Sequence, residues 1–294
     1  MRSGFTYKGI HSSRFGITAK TKSRPVLPEM KYNSFESPLI DGVYDFSAAN
    51  EYGHAFYNDR FFEIQIQATA DNLRELEKKV SKIAVWLRGS GELQFDDMPM
   101  MKFKCSVISE MGFVPERHGK TTVMTAVFRA EPFGECIFDT VSGTELNSVI
   151  ELDTNIPIDL LRAHTWSFTG GRNAYAEVNK LLKIVNMGNV YARPVIKIEG
   201  LVKNVSIACG NKSLYINDTK SGFIIDCKKQ TVTDLNGKSV MTKFSGSFPE
   251  LKDGVTDMVI SMSVNNDASV SIEYTPRFVY DCDFDYADWG ECNA

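Results

Sequence analysis

No stretch of this chain stays apolar for the roughly 18 residues that a membrane-crossing helix needs. Residues 1–20 also lack the apolar centre of a secretory leader. These absences predict a soluble protein made in the cytosol, with no membrane partner. Basic excess is missing too: 33 Lys and Arg stand against 37 Asp and Glu, for a net charge of −4 and a pI of about 5.7. Nucleic-acid binders cluster Lys and Arg on a basic domain, so no nucleic-acid partner is expected. Cysteine is sparse and unpaired in spacing. Cys105, Cys136, Cys209, Cys227, Cys282 and Cys292 form no CxxC motif, the usual way two zinc ligands arrive from one turn. Without an export signal disulfides are disfavoured, so six free thiols are expected.

Catalytic signatures are missing as well. His11, His54, His118 and His164 lack the H-x-x-x-H or H-E-x-x-H spacing of a metal site. No G-x-S-x-G elbow occurs, and Gly89-Ser90-Gly91 has no phosphate-loop lysine behind it. Asp96-Asp97 precede Met98-Pro99. Paired carboxylates can hydrolyse glycosides, but adjacent aspartates before a proline read better as a turn. Asp281, Asp283 and Asp285 hint at calcium, yet Tyr286 and Cys292 stand where a calcium loop needs Gly and Glu. The reading is therefore not an enzyme: no catalytic residue, no cofactor and no metal ligand.

What is present is strand pattern. With 294 residues, two domains of ordinary size are expected. In the first half, strands are predicted at Phe5–Ile10, Val43–Phe46, Arg60–Gln67, Leu93–Phe95, Met101–Ser109 and Thr121–Ala130. From Phe62 the segment Arg60–Ala68 alternates apolar and polar residues, as a half-buried strand does. Thr121–Ala130 alternates likewise, Met124, Ala126 and Phe128 against Val123, Thr125, Val127 and Arg129. One segment breaks the pattern. Leu73, Leu76, Val80, Ile83, Ala84 and Leu87 form a single stripe at helical spacing, predicting a helix over 71–88 packed on a sheet, with Trp86 beside the stripe. Asp71 or Asn72 would cap it and Gly89 and Gly91 would end it.

Residues 141–190 read as a connecting region. Val178, Leu181, Leu182 and Val185 suggest a helical turn or two within Ala174–Val185. Beyond it, strands are predicted at Val195–Glu199, Asn204–Cys209, Ser213–Asn217, Gly222–Asp226, Thr231–Asp234, Ser239–Thr242, Val255–Val264 and Val270–Tyr274. Turns are expected at Glu199-Gly200, Gly210-Asn211, Asn236-Gly237, Asp253-Gly254 and Asn265-Asn266-Asp267. Short strands at this spacing point to a jelly-roll β-sandwich. The fold class is mainly β: an N-terminal β domain with one α-helix over 1–140, the connection 141–190, a C-terminal sandwich over 191–278, and an acidic tail 279–294. Alternation at Asp281–Tyr286 suggests an edge strand there.

Several blocks carry a family resemblance. Phe5-Thr-Tyr7-Lys-Gly9-Ile10 with Phe15-Gly16-Ile17 resembles the opening of the distal tail (Dit-like) component family of long-tailed phages of Gram-positive hosts. Arg24-Pro25, Leu27-Pro28-Glu29 and Gly42-Val-Tyr44-Asp-Phe46 resemble its next block. Asn72-Leu73, Ile83-Ala-Val-Trp86-Leu87 and Leu93-Gln-Phe95-Asp96-Asp97 are similar to its helix and hairpin. Phe128-Arg129-Ala130-Glu131-Pro132-Phe133-Gly134 is similar to its closing strand. In the second half the likeness runs through Asn186-Met-Gly188-Asn189, Ala192-Arg-Pro194, Ile196-Lys-Ile198-Glu-Gly200, Ile225–Val232 and Ser245-Gly246-Ser-Phe248-Pro249. It covers about residues 3–278, and the tail 279–294 has no counterpart.

The resemblance implies a structural virion protein of the siphophage tail tip, assembled in the host cytoplasm. It implies a homohexameric ring built by the first domain and a galectin-like second domain. The implied neighbours are the tail tube protein, a tail-associated fibre or lysin-like protein and, at the side, a receptor-binding protein, together forming a baseplate for host adsorption. Two other functions compete with it. A sandwich is a common sugar-binding scaffold, so a carbohydrate-binding module contacting the host cell wall is the alternative, with Tyr191, Tyr215, Phe223 and Tyr274 as candidate stacking rings. An accessory domain of a secreted hydrolase is disfavoured by the missing leader.

Overall fold

The computed structural model describes residues 4–38, 41–137, 164–217 and 221–280. The fold is mainly β with one α-helix. The chain divides into two units, Met1–Glu135 with Val279–Asp281, and Cys136–Phe278 with Cys282–Ala294. The acidic motif at Asp281, Asp283 and Asp285, with Cys282 and Cys292, lies outside the described residues.

The first unit grows around the two alternating segments. β1 (Phe5–Tyr7), β2 (Ile10–His11), β3 (Ile17–Ser23), β4 (Ser34–Glu36), β5 (Val43–Asp45) and β6 (Arg60–Thr69) precede the helix α1 (Leu73–Leu87). β7 (Ser90–Phe95), β8 (Met101–Val107), β9 (Pro115–Glu116) and β10 (Thr121–Ala130) follow it. The main sheet runs β2-β1-β7-β8-β10-β6-β3. β10 and β6 pair without a break from Thr121↔Thr69 to Ala130↔Arg60. That register sets Phe128 opposite Phe62, Ala126 opposite Ile64 and Met124 opposite Ile66, all buried. A slip of one residue would turn the whole set to water, so the pattern itself fixes the register.

α1 covers this apolar face. The Asn72 side chain accepts the Glu75 amide at 3.0 Å, which identifies the cap. Leu76, Ile83, Trp86 and Leu87 are buried. Trp86 belongs to the core rather than its margin. Its indole stacks on Phe15 at 4.5 Å and Phe5 at 5.3 Å between centroids, and its N–H donates to the Tyr7 carbonyl at 2.9 Å. Leu73 and Ala84, expected on the stripe, are exposed. The segment Phe5–Ile10, expected as one strand, is split. Lys8 and Gly9 at φ 53° and 71° turn the chain between β1 and β2.

The second unit is built on two long strands. β12 (His164–Thr169), β13 (Tyr175–Asn186), β14 (Val195–Cys209) and β15 (Lys212–Ile216) come first, after β11 (Gly134–Cys136) near the unit boundary. β16 (Phe223–Asp226), β17 (Thr231–Asp234), β18 (Phe244–Gly246) and β19 (Gly254–Glu273) follow. Tyr175–Asn186 is thus a strand, not the expected helical turns. Its apolar spacing fits a helix locally, but all twelve residues pair with β19 from Asn265 to Gly254. Pairing of that length overrides a weak helical period.

The expected turns at Glu199-Gly200 and Asn265-Asn266-Asp267 are instead bends inside β14 and β19. The pairing register slips between Gly200 and Leu201. Gly200 has φ +112°, and a Cβ there would lie 2.7 Å from the Asp267 carbonyl. Asn266, at φ 64°, closes the bend: its carbonyl accepts the Gly170 amide and its Oδ1 accepts the Asn173 amide. On one side of the bend lie β13, β15 and β18, and on the other β12, β16 and β17. Both halves contribute to one core, with Ile207, Leu214 and Ile260 from the first and Ile198, Phe223 and Val270 from the second. Ser239–Thr242, expected as a strand, contains the start of a 3-10 turn at Met241–Lys243, tied by the Lys243 amide to the Val240 carbonyl.

Cys105, Cys136, Cys209 and Cys227 are free thiols and buried. Burial pushes Cys105 up to about 12 and drives Cys227 further in the same direction. The thiolate is the reactive form. The folded protein should therefore leave these four unmodified by a thiol reagent at neutral pH, and denaturant should release them. Fast labelling of any of the four in the native protein would show that its surroundings open.

Candidate interaction surface

The chain leaves the first sheet after Ser23 and re-enters it at Arg60. An arginine stands at each end of this arm. Arg24 grips Asp97 with two parallel hydrogen bonds of 2.9 and 2.8 Å. Its guanidinium also lies 4.8 Å from the Phe95 ring centroid and donates to the Tyr280 hydroxyl at 3.0 Å. The Arg24 hydrogen bonds hold the Asp97 carboxyl below its ordinary range. Arg60 is buried and donates to the carbonyls of Pro25 and Val26, each at 3.3 Å, and to that of Val279. Burial pushes its pKa down to about 10, which still leaves it charged at neutral pH.

Beyond this neck the two legs of the arm bond to each other. Lys31 donates its amide to Phe56 at 2.7 Å, and Asn58 to Glu29 at 2.8 Å. The Asn50 side chain closes the loop between them. Its amide nitrogen donates to the His54 carbonyl at 2.8 Å, and its oxygen accepts the Tyr52 amide at 2.9 Å. At the outer end β4 and β5 pair as a separate two-stranded ribbon, Phe35 opposite Tyr44 and Glu36 opposite Val43.

Every residue of this ribbon is exposed on both faces. Phe35 is 60% exposed, Leu27 64% and Tyr32 56%. Tyr44 and Phe46 are exposed side by side, with ring centroids 6.2 Å apart. Single apolar residues on a surface mean little, but a run of this kind marks an interaction site. A lone two-stranded ribbon is also marginal in water unless something packs on it. Sequence reading found Val43–Phe46 as a strand and missed this exposure.

The other candidate residues are placed as follows. Phe223 and Tyr274 lie in the core at 1% and 2% exposure, and a buried ring offers no face to a sugar. Tyr191 is half-buried, with the Arg277 and Arg193 guanidiniums 5.3 and 5.8 Å from its ring centroid. Tyr215 is exposed on β15. Asp96 and Asp97 are held by different partners, since His11 and the Gly4 amide contact Asp96 at 3.0 Å each. Among the described residues no group of three or more His, Cys, Asp or Glu stands where it could hold a metal ion.

No protein-family model matches the sequence, and no curated protein matches it. Solved structures do. The phage P2 baseplate in its activated conformation with Ca aligns over 93% of this chain and 98% of that one, at 9% identity and a TM-score of 0.40, too low to carry an argument. The SPP1 Dit protein, described as a paradigm of the hub adsorption apparatus in phages infecting Gram-positive bacteria, aligns over 94% of this chain and 99% of that one. With a TM-score of 0.59 at 12% identity, the chain shares the fold of that hub protein from end to end of the alignment.

Proposed function

We propose that the chain is a non-enzymatic structural protein of a phage tail tip, a hub that closes into a hexameric ring between the tail tube and the adhesion apparatus. The observation that carries this reading is the fold shared with the SPP1 Dit protein over nearly the whole of both chains. The exposed arm supports it, because a ring subunit needs surfaces that only assembly covers. On this reading the partners are further copies of the chain, the tail tube protein and a tail-associated fibre or lysin-like protein. A receptor-binding protein would join them, and the place of action would be the virion. The second unit, with one core under a bent sheet, fits the galectin-like role that the family resemblance implies.

Negative-stain microscopy of the purified protein, alone and co-expressed with the tube protein, tests this directly. Six-fold rings are the expected outcome. A monomer under both conditions, by imaging and by light scattering, would overturn the proposal. One observation favours a second reading. Tyr215 presents an exposed ring on the second unit, so a glycan array on the full chain and on Tyr215→Ala would reveal a sugar-binding module.

A further inference from the structure

We infer that the arm of one copy seats on the outward face of α1 of the next, so that a single acidic-apolar to basic-apolar contact repeats between copies. The inference rests on the ring reading above and assigns the two surfaces that would close the ring.

The first surface is the arm. Between Pro25 and Asn58 its charged residues are Glu29, Glu36, Asp41, Asp45 and Glu51, with Lys31 as the only Lys or Arg. The arm is therefore apolar and acidic together. The second surface is α1. Its buried row is Leu76, Ile83, Trp86 and Leu87. At 100° per residue the opposite side carries Arg74, Lys78, Ser81, Val85 and Arg88, with Glu77 at one edge and Lys82 at the other, all exposed. Val85, at the centre of this basic side, is 73% exposed.

The two surfaces match in chemistry and do not cover one another within a chain, since both are exposed. Each copy thus carries one acidic projection and one basic seat. Such a pair is heterologous: copy follows copy in one direction, and a ring results when the rotation closes. Charge complementarity adds register and excludes the reverse pairing, in which acidic arm meets acidic arm. The apolar contact around Val85, Phe35 and Tyr44 supplies affinity by leaving water.

Charge reversal tests the contact on the full-length chain, read by sedimentation and by melting temperature. Lys78→Glu with Lys82→Glu, and separately Glu36→Lys with Asp41→Lys, should each weaken self-association at least tenfold while melting like the wild type. Combining all four should restore it. A Tyr44→Cys chain mixed with a Val85→Cys chain should give a cross-linked heterodimer that neither forms alone. If the wild type assembles and neither reversal weakens it, the contact is wrong while the ring reading stands. If the wild type never assembles, both fall. If the arm variants lose only a co-expressed tube protein, the arm's occupant is that protein and the inference is overturned.

Discussion

Ile83→Asp is expected to unfold the first unit. Ile83 is fully buried on the inner side of α1, between the turns that carry Leu76 and Trp86. An aspartate there would bring a carboxylate among apolar side chains, with no partner for the charge. Burying an unpaired ion costs several kcal/mol even after relaxation, against a whole-domain stability of about 5–15 kcal/mol. α1 is also the only α-helix among the described residues, and Trp86 on it anchors Phe5, Phe15 and the Tyr7 carbonyl. Losing its seat therefore undoes β1 as well. Limited proteolysis should cut the variant within residues 1–135, and its melting transition should fall by tens of degrees or vanish. Wild-type melting and resistance would mean that this side of α1 faces water or a partner.

Gly200→Ala is expected to disable the second unit, whereas Gly210→Ala is expected to be mild. Both glycines have positive φ, +112° and +61°. A side chain at positive φ costs about 1–2 kcal/mol from backbone strain alone. The difference lies in the surroundings. A Cβ at Gly200 would sit 2.7 Å from the Asp267 carbonyl oxygen and 2.9 Å from the Ala268 Cα, both backbone atoms of β19. At Gly210 nothing lies within 4 Å. Only the first substitution forces the two long strands apart at their common bend, where core residues of both halves depend on their closeness. Thermal melting should show a loss several times larger for Gly200→Ala. Equal losses would mean that the bend tolerates a wider spacing.

How much of this was legible in the sequence depends on period. β6, β10 and α1 could be read because Phe62, Ile64 and Ile66, or Leu76, Ile83 and Leu87, repeat with the pleat or the helical turn. The bend could not. Glu199-Gly200 and Asn265-Asn266-Asp267 have turn chemistry, and a bulge inside a long strand uses the same residues as a turn between two short ones. β13 was misread because its spacing suits a helix, and only the length of its pairing with β19 decides otherwise. For the candidate site the gap is larger. Alternation tells which side chains share a face, but not whether that face is covered. Tyr44 and Phe223 therefore read alike as strand aromatics, though one is 50% exposed and the other 1%. The same gap leaves Tyr191, Tyr215, Phe223 and Tyr274 undivided in the sequence, whereas burial separates exposed Tyr215 and half-buried Tyr191 from Phe223 and Tyr274 inside the core.

The neck of the arm sets an order of events during synthesis. Arg60 needs the carbonyl of Val279, made 219 residues later, and Arg24 needs the Tyr280 hydroxyl, 256 residues on. A ribosome therefore releases the first sheet long before its two arginines find their last acceptors. Contacts so distant in sequence form late. Until they do, the arm of a nascent chain is held by Arg24 on Asp97, by Arg60 on the Pro25 and Val26 carbonyls, and by its own legs. The apolar surface most suited to association thus becomes fully braced only once residues 279 and 280 have been made, which disfavours tangling between nascent arms on the ribosome.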